Sequence, residues 1–177
     1  MGAPVTNDGL FIVGRVATSV AYFARPNDAN TYTAGDVIAD STVQANPLVF
    51  KGVVPAAGAS GCIQQATISI FANVAALQPD LQLFIYDSPP VMQADNAAFA
   101  ASNLQIQTLV ACIAFPVGSM IVTNTGTGIS GNIICNAQGL VIPFTGRDAN
   151  LYGNLVVRNA YVPVAVTTFS IRLNVVN

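Results

Sequence analysis

The chain has 177 residues, 53% of them hydrophobic and 8% charged, with a net charge of −2. An ordinary soluble domain carries about 25% charged residues. All eight acids are Asp, Lys51 is the one lysine, and there is no His, Glu or Trp. Helix surfaces are normally stocked with Glu, Lys and Arg, so this composition argues against a helical protein. It also gives no basic footprint for nucleic acid or anionic membrane.

In chain order, residues 1–9 form a polar lead-in, and MGAPVTNDGLFIVGR lacks the basic and apolar regions of a signal peptide. Leu10–Val13 and Val16–Phe23 read as short strands, followed by a loop through Arg25-Pro26-Asn27-Asp28. Residues 1–30 are thus expected to be an arm with the first short strands, and 31–177 a single β-sandwich domain. Leu48–Val54 and Gly61–Phe71 are strands; in the second, Ala66, Ile68 and Ile70 face opposite to Gln65, Thr67 and Ser69. Leu81–Tyr86 is a core strand with both faces covered, stopped by Asp87-Ser88-Pro89-Pro90.

Asp95 and Asn96 are each able to cap a helix start, and Ala97–Ala101 is a short helical run. The chain returns as a strand over Leu104–Phe115. Met120–Thr123 is a strand; Ile133–Cys135 and Leu140–Ile142 are expected to pair around a four-residue hairpin loop. Leu151–Val157 is a strand, and the last alternates Phe169, Ile171, Leu173 and Val175 with Ser170, Arg172, Asn174 and Val176. Eight to ten short strands with turn chemistry between them predict an all-β, two-sheet antiparallel sandwich, jelly-roll-like, with one short helical crossover.

Without His there is no Ser-His-Asp or Cys-His arrangement and no usual zinc set. The aspartates sit in turn contexts, so an enzyme is not expected. No cofactor is expected. Asp87, Asp95 and Asp148 lie in loops and are the candidates for calcium, but at no recognised ligand spacing. Cys62, Cys112 and Cys135 are odd in number, far apart and in apolar runs, which reads as buried small hydrophobes of a reduced protein. The six cations are scattered, and five are arginines, suited to fixed hydrogen bonds between subunits. A surface so poor in charge is weakly protected against association, which points to burial by other subunits.

Several stretches together resemble a family of tailed-bacteriophage capsid decoration (cement) proteins. They are Tyr32-Thr33-Ala34-Gly35-Asp36-Val37-Ile38, Gly61-Cys62-Ile63, and Leu83-Phe84-Ile85-Tyr86-Asp87-Ser88-Pro89. Ala94-Asp95-Asn96-Ala97-Ala98-Phe99 and Leu151-Tyr152-Gly153 complete the set. The resemblance runs from about Tyr32 to the C-terminus and implies a β-sandwich without catalytic residues. It also implies docking on the outer surface of the virion shell, after synthesis in the host cytoplasm. The implied partners are the major capsid protein and the chain itself, as a homotrimer.

Tyr32, Asp36, Val37 and Ile38 are the expected contacts, together with the N-terminal arm; Asp95 and Asn96 are the expected helix cap. Two readings compete: a receptor- or glycan-binding tail or fibre module using Tyr22, Tyr32, Tyr152 and Tyr161, and a jelly-roll coat protein. The basic arm that packages a genome is missing for the latter.

Overall fold

A computed structural model describes residues 14–72, 79–124 and 131–177. The expected strand Leu10–Val13 and the arm before it lie outside the described residues. Eleven strands and one short helix are described: β1 Val16–Ala24, β2 Val37–Ile38, β3 Leu48–Phe50, β4 Ser60–Ala72, β5 Leu81–Tyr86, α1 Asn103–Gln107, β6 Leu109–Phe115, β7 Met120–Asn124, β8 Gly131–Ala137, β9 Ile142–Thr145, β10 Leu151–Val157 and β11 Thr168–Val176. One sheet runs β1-β11-β4-β8-β7 with β9 also on β4; the other runs β2-β10-β5-β6 with β3 also on β10. Every pairing is antiparallel.

The pairings β1–β11, β2 and β3 with β10, β4 with β8 and β9, and β5–β6 are nested, like a long hairpin whose tip is β5–β6. Rolling that ribbon brings β11 against β4 and β10 against β5, which makes the chain a jelly roll. The alternation expected of the last strand holds, with Phe169, Ile171, Leu173 and Val175 all facing the core. They meet Ile68 and Ile70 of β4 and Leu81, Leu83 and Ile85 of β5 in one continuous apolar cluster. Each such side chain taken from water contributes about 1.5–3 kcal/mol, the main term holding the two sheets together.

Four details differ from the sequence expectation. β1 is an integral edge strand of the first sheet, so the sandwich includes Val16–Ala24, ahead of residue 31. The strand expected from Leu104 starts at Leu109, because α1 occupies Asn103–Gln107. The expected hairpin between Ile133–Cys135 and Leu140–Ile142 does not form. β8 and β9 instead lie one after the other along β4, opposite Ala66–Ala72 and Ser60–Ile63.

The last difference is in β4, where Asn174 pairs with Gln65 but Val175 pairs with Ile63, leaving Gln64 as an extra residue. That bulge resets the alternation, so Gly61 and Ile63 face the core together with Ala66, Ile68 and Ile70. Gly61 is required there: a Cβ would sit 2.9 Å from Cζ of Phe144.

The two outer faces are unlike. Residues 39–47 and 91–99 fold over the outside of the β2-β10-β5-β6 sheet, where Val37, Ala39, Ala45 and Val156 form a second small core with Phe84, Met92 and Phe99. All seven residues of β10 are therefore buried. The outside of the β1-β11-β4-β8-β7 sheet carries no such cover among the described residues.

Candidate interaction surface

The residues expected to touch a partner are interior. Tyr32, Asp36, Val37 and Ile38 are all buried within the chain. Val37 and Ile38 pair with Val156 and Leu155. The Asp36 carboxylate accepts from the Thr33 backbone N–H at 2.6 Å and the Thr33 hydroxyl at 2.9 Å. The Tyr32 ring stacks on Tyr161 at 5.9 Å between centroids. Their mixed polarity, which suggested a contact surface, is satisfied inside the molecule.

Asp95 and Asn96 do not cap a helix. The Asp95 side chain is buried with that of Arg25, whose Nη2 lies 2.9 Å from Oδ2. Oδ1 accepts from the Tyr32 hydroxyl at 2.6 Å and from the Ala39 backbone N–H at 2.8 Å. Arg25 also donates from Nε to the Tyr32 hydroxyl, and Nη2 lies 3.2 Å from Oδ1 of Asp28.

Burial, reinforced by Asp95, raises the Tyr32 phenol far above its ordinary range. Burial opposes the Arg25 charge, but Tyr32 and Asp95 outweigh it and hold the guanidinium above its ordinary value. Asn96 turns the chain in the left-handed region, at φ 61°. With its amide oriented to satisfy both neighbours, its nitrogen donates to Oδ2 of Asp36 and to the Thr31 carbonyl, each at 3.2 Å. Both residues pin the crossover after β5 to the loop after β1.

The helix begins seven residues beyond Asp95 (102 − 95), at its N-cap Ser102. The Ser102 hydroxyl accepts from Gln105 N–H at 3.3 Å, and Gln105 Oε1 accepts from Ser102 N–H at 2.7 Å. This is a capping box with Gln at its third position. The Gln105 amide also donates to the Val91 carbonyl at 2.7 Å.

The short helix is inverted in polarity as a result. Its Gln105 is buried, while Leu104 is 74% exposed and Ile106 56%, with Val91 77% and Leu109 37% exposed beside them. The one charge between Ser88 and Phe115 is the buried Asp95. The surface of this turn is therefore apolar and uncharged. The sequence signal for it was present in S-N-L-Q, but the alanine run just before drew the helix assignment forward.

The remaining candidates disperse. Asp87 faces Arg147 at 3.1 Å, Asp148 accepts from the Tyr152 hydroxyl at 2.7 Å, and Asp95 is held by Arg25. Among the described residues no three His, Cys, Asp or Glu side chains gather as metal ligands. All three cysteines are free. Cys135 is buried as expected, Cys62 is half-buried, and Cys112 is exposed, contrary to expectation, because it projects from the outer face of β6.

Of the four tyrosines named for a glycan site, Tyr22 is 78% exposed while Tyr32, Tyr152 and Tyr161 are buried, so they form no shared platform. No helix among the described residues is long and apolar enough to cross a membrane.

No family model matches the chain, and no curated protein matches it. Among solved structures, a chain of the cyanophage Pam1 capsid asymmetric unit is similar at 16% identity and a TM-score of 0.39, over 99% of this chain and 91% of that one. A likeness at that score carries no weight for fold or role, which rest on this chain's own residues.

Proposed function

We propose that the chain is a non-enzymatic structural protein of a phage virion. In this reading it is a capsid decoration (cement) protein that binds the outer surface of the assembled head, with the major capsid protein and further copies of itself as partners. The observation that carries the reading is the inverted turn, where Leu104 and Ile106 face solvent while Gln105 is buried. Exposed apolar side chains grouped on an uncharged surface mark a contact with a partner. The family resemblance of Tyr32–Ile38 and Ala94–Phe99 supplies the shell as that partner. A protein that binds only the assembled shell stabilises it by mass action.

The test is heat or osmotic challenge of particles that lack the protein. They are expected to lose DNA sooner than complete particles, and added wild-type protein is expected to restore retention. Leu104→Asp with Ile106→Asp is expected to fold normally, bind particles at least about tenfold more weakly and restore nothing. Particles that keep their DNA without the protein but fail to adsorb to cells would overturn the reading in favour of receptor binding.

A further inference from the structure

We propose that β1 is a docking edge for a second copy of the chain, pairing antiparallel with the same strand of its partner about a two-fold axis through Val20, which makes a dimer in place of the homotrimer that the family resemblance implies. The other sheet edges carry the devices that keep strands from pairing with foreign chains. β2 and β3 are fragments of two and three residues, β7 has five described residues, β9 contains Pro143, and β6 is interrupted opposite Ile85 and Tyr86. β1 has none of these. It runs nine residues, VATSVAYFA, without charge, Pro, Gly or a break in register.

The hydrogen-bonding direction follows from the ends of the strand. Arg15 and Asn177 exchange both backbone bonds, at 2.7 and 3.0 Å, and Arg25 N–H donates to the Thr167 carbonyl at 3.0 Å. In an antiparallel ladder such pairs alternate, so the odd-numbered residues are turned towards β11. The N–H and C=O groups of Val16, Thr18, Val20, Tyr22 and Ala24 are turned to the opposite edge, which no described residue pairs. Among the described residues β1 pairs with β11 alone. Beside Val20–Phe23 the edge opens on a groove of about 410 Å³, whose far wall includes Asp40, Leu48, Val49 and Lys51. Asp40 and Lys51 cancel, so the groove has no net charge to repel an identical copy.

A two-fold axis through Val20 matches all five free residues at once. Val20 faces Val20 of the second copy, Thr18 faces Tyr22, and Val16 faces Ala24. Every edge donor then meets an acceptor, and the aromatic–β-branched pair Thr18–Tyr22 recurs on both sides of the axis, a favourable cross-strand combination. Val16, Val20 and Tyr22, at 64, 43 and 78% exposure, gain neighbours along the row. The contact is isologous and uses up both edges, so it closes as a dimer and does not extend into a fibre.

The experiment is sedimentation of the full chain at micromolar concentration, with three variants at Val20. The wild type is expected to be a dimer. Val20→Pro removes an N–H that points away from β11, so the fold is kept and the dimer is expected to dissociate. Val20→Lys places charges opposite one another on the axis and is expected to do the same without any backbone change. Val20→Cys is expected to cross-link under mild oxidation, since facing Cα atoms in such a pair are about 5.5 Å apart, within disulfide reach. The wild type, with Cys112 exposed, is the control that does not cross-link. A monomeric or trimeric wild type, a Val20→Lys dimer, or a Val20→Cys chain that stays uncross-linked would each overturn the proposal.

Discussion

Removing the Asp95 carboxylate should cost far more than losing a helix cap. In Asp95→Ala the buried Arg25 guanidinium loses its 2.9 Å partner, and the Tyr32 hydroxyl and Ala39 N–H lose theirs at 2.6 and 2.8 Å. Breaking one side of a buried ion pair costs about 3–5 kcal/mol, because the remaining charge stays in a poorly solvating interior. A lost cap costs about 0.5–2 kcal/mol, so the size of the effect distinguishes the two roles.

The assay is urea unfolding of wild type, Asp95→Ala, Arg25→Met and the double variant, with the slope checked for constancy. If the singles were additive, the double would lose about 6–10 kcal/mol, most of the stability of a typical domain. The structure predicts instead that the double costs less than that sum by about 2–3 kcal/mol, the coupling between the two side chains. Asp95→Asn, which keeps the shape and removes the charge, gives the same reading if Asp95→Ala does not fold. A loss below about 2 kcal/mol for Asp95→Ala, or additivity in the double, would refute the ion-pair role.

Two further outcomes follow from single side chains. Burial, with the negative charge of the Cys112 thiolate adding to it, pushes the Tyr86 phenol up to about 12, and burial with Asp95 pushes Tyr32 higher still. An unfolded tyrosine titrates near 10. Their contribution is therefore complete below pH 10 and lost as pH rises towards 12, at about 1.4 kcal/mol per unit for each group. Urea midpoints should fall above pH 10, less steeply in Tyr86→Phe than in the wild type; an unchanged slope in that variant would refute the assignment. Val166 is held at φ 60° with half its side chain exposed, a conformation that strains a β-branched residue. Val166→Asn should stabilise by about 1 kcal/mol, read as a melting temperature higher by about 2–4 °C, and no rise would count against strain there.

The strands were legible where one periodicity ran uninterrupted. Phe169–Val176 alternates cleanly, Leu81–Tyr86 is largely apolar on both faces, and both fall in the core as expected. The pairing of strands was not legible, because alternation says which face a residue takes and nothing about which strand lies alongside. Ile133–Cys135 and Leu140–Ile142 show this well. A four-residue loop between two apolar runs looks like a hairpin, yet β4 is long enough to accept both runs in line along one edge. The Gln64 bulge was equally hidden, since it exists to reconcile Ile63 with Ala66 against a partner 109 residues away.

Asp95 before an alanine run looks like a cap because capping is a local bond, but its partner Arg25 lies 70 residues earlier. Once the carboxylate is committed to that pair, Ala97–Ala101 has no cap and the helix forms at the next competent start, Ser102 with Gln105. That shift is what turns Leu104 and Ile106 outward. In the sequence they continue an apolar strand, whereas in the fold they flank a buried glutamine on an uncharged turn. A contact surface was expected from mixed polarity at Tyr32–Ile38, but mixed polarity there served internal bonds. The exposed apolar groups arose where a long-range ion pair displaced a local preference. Surfaces of that origin are found by asking which bonds the buried polar groups have already made.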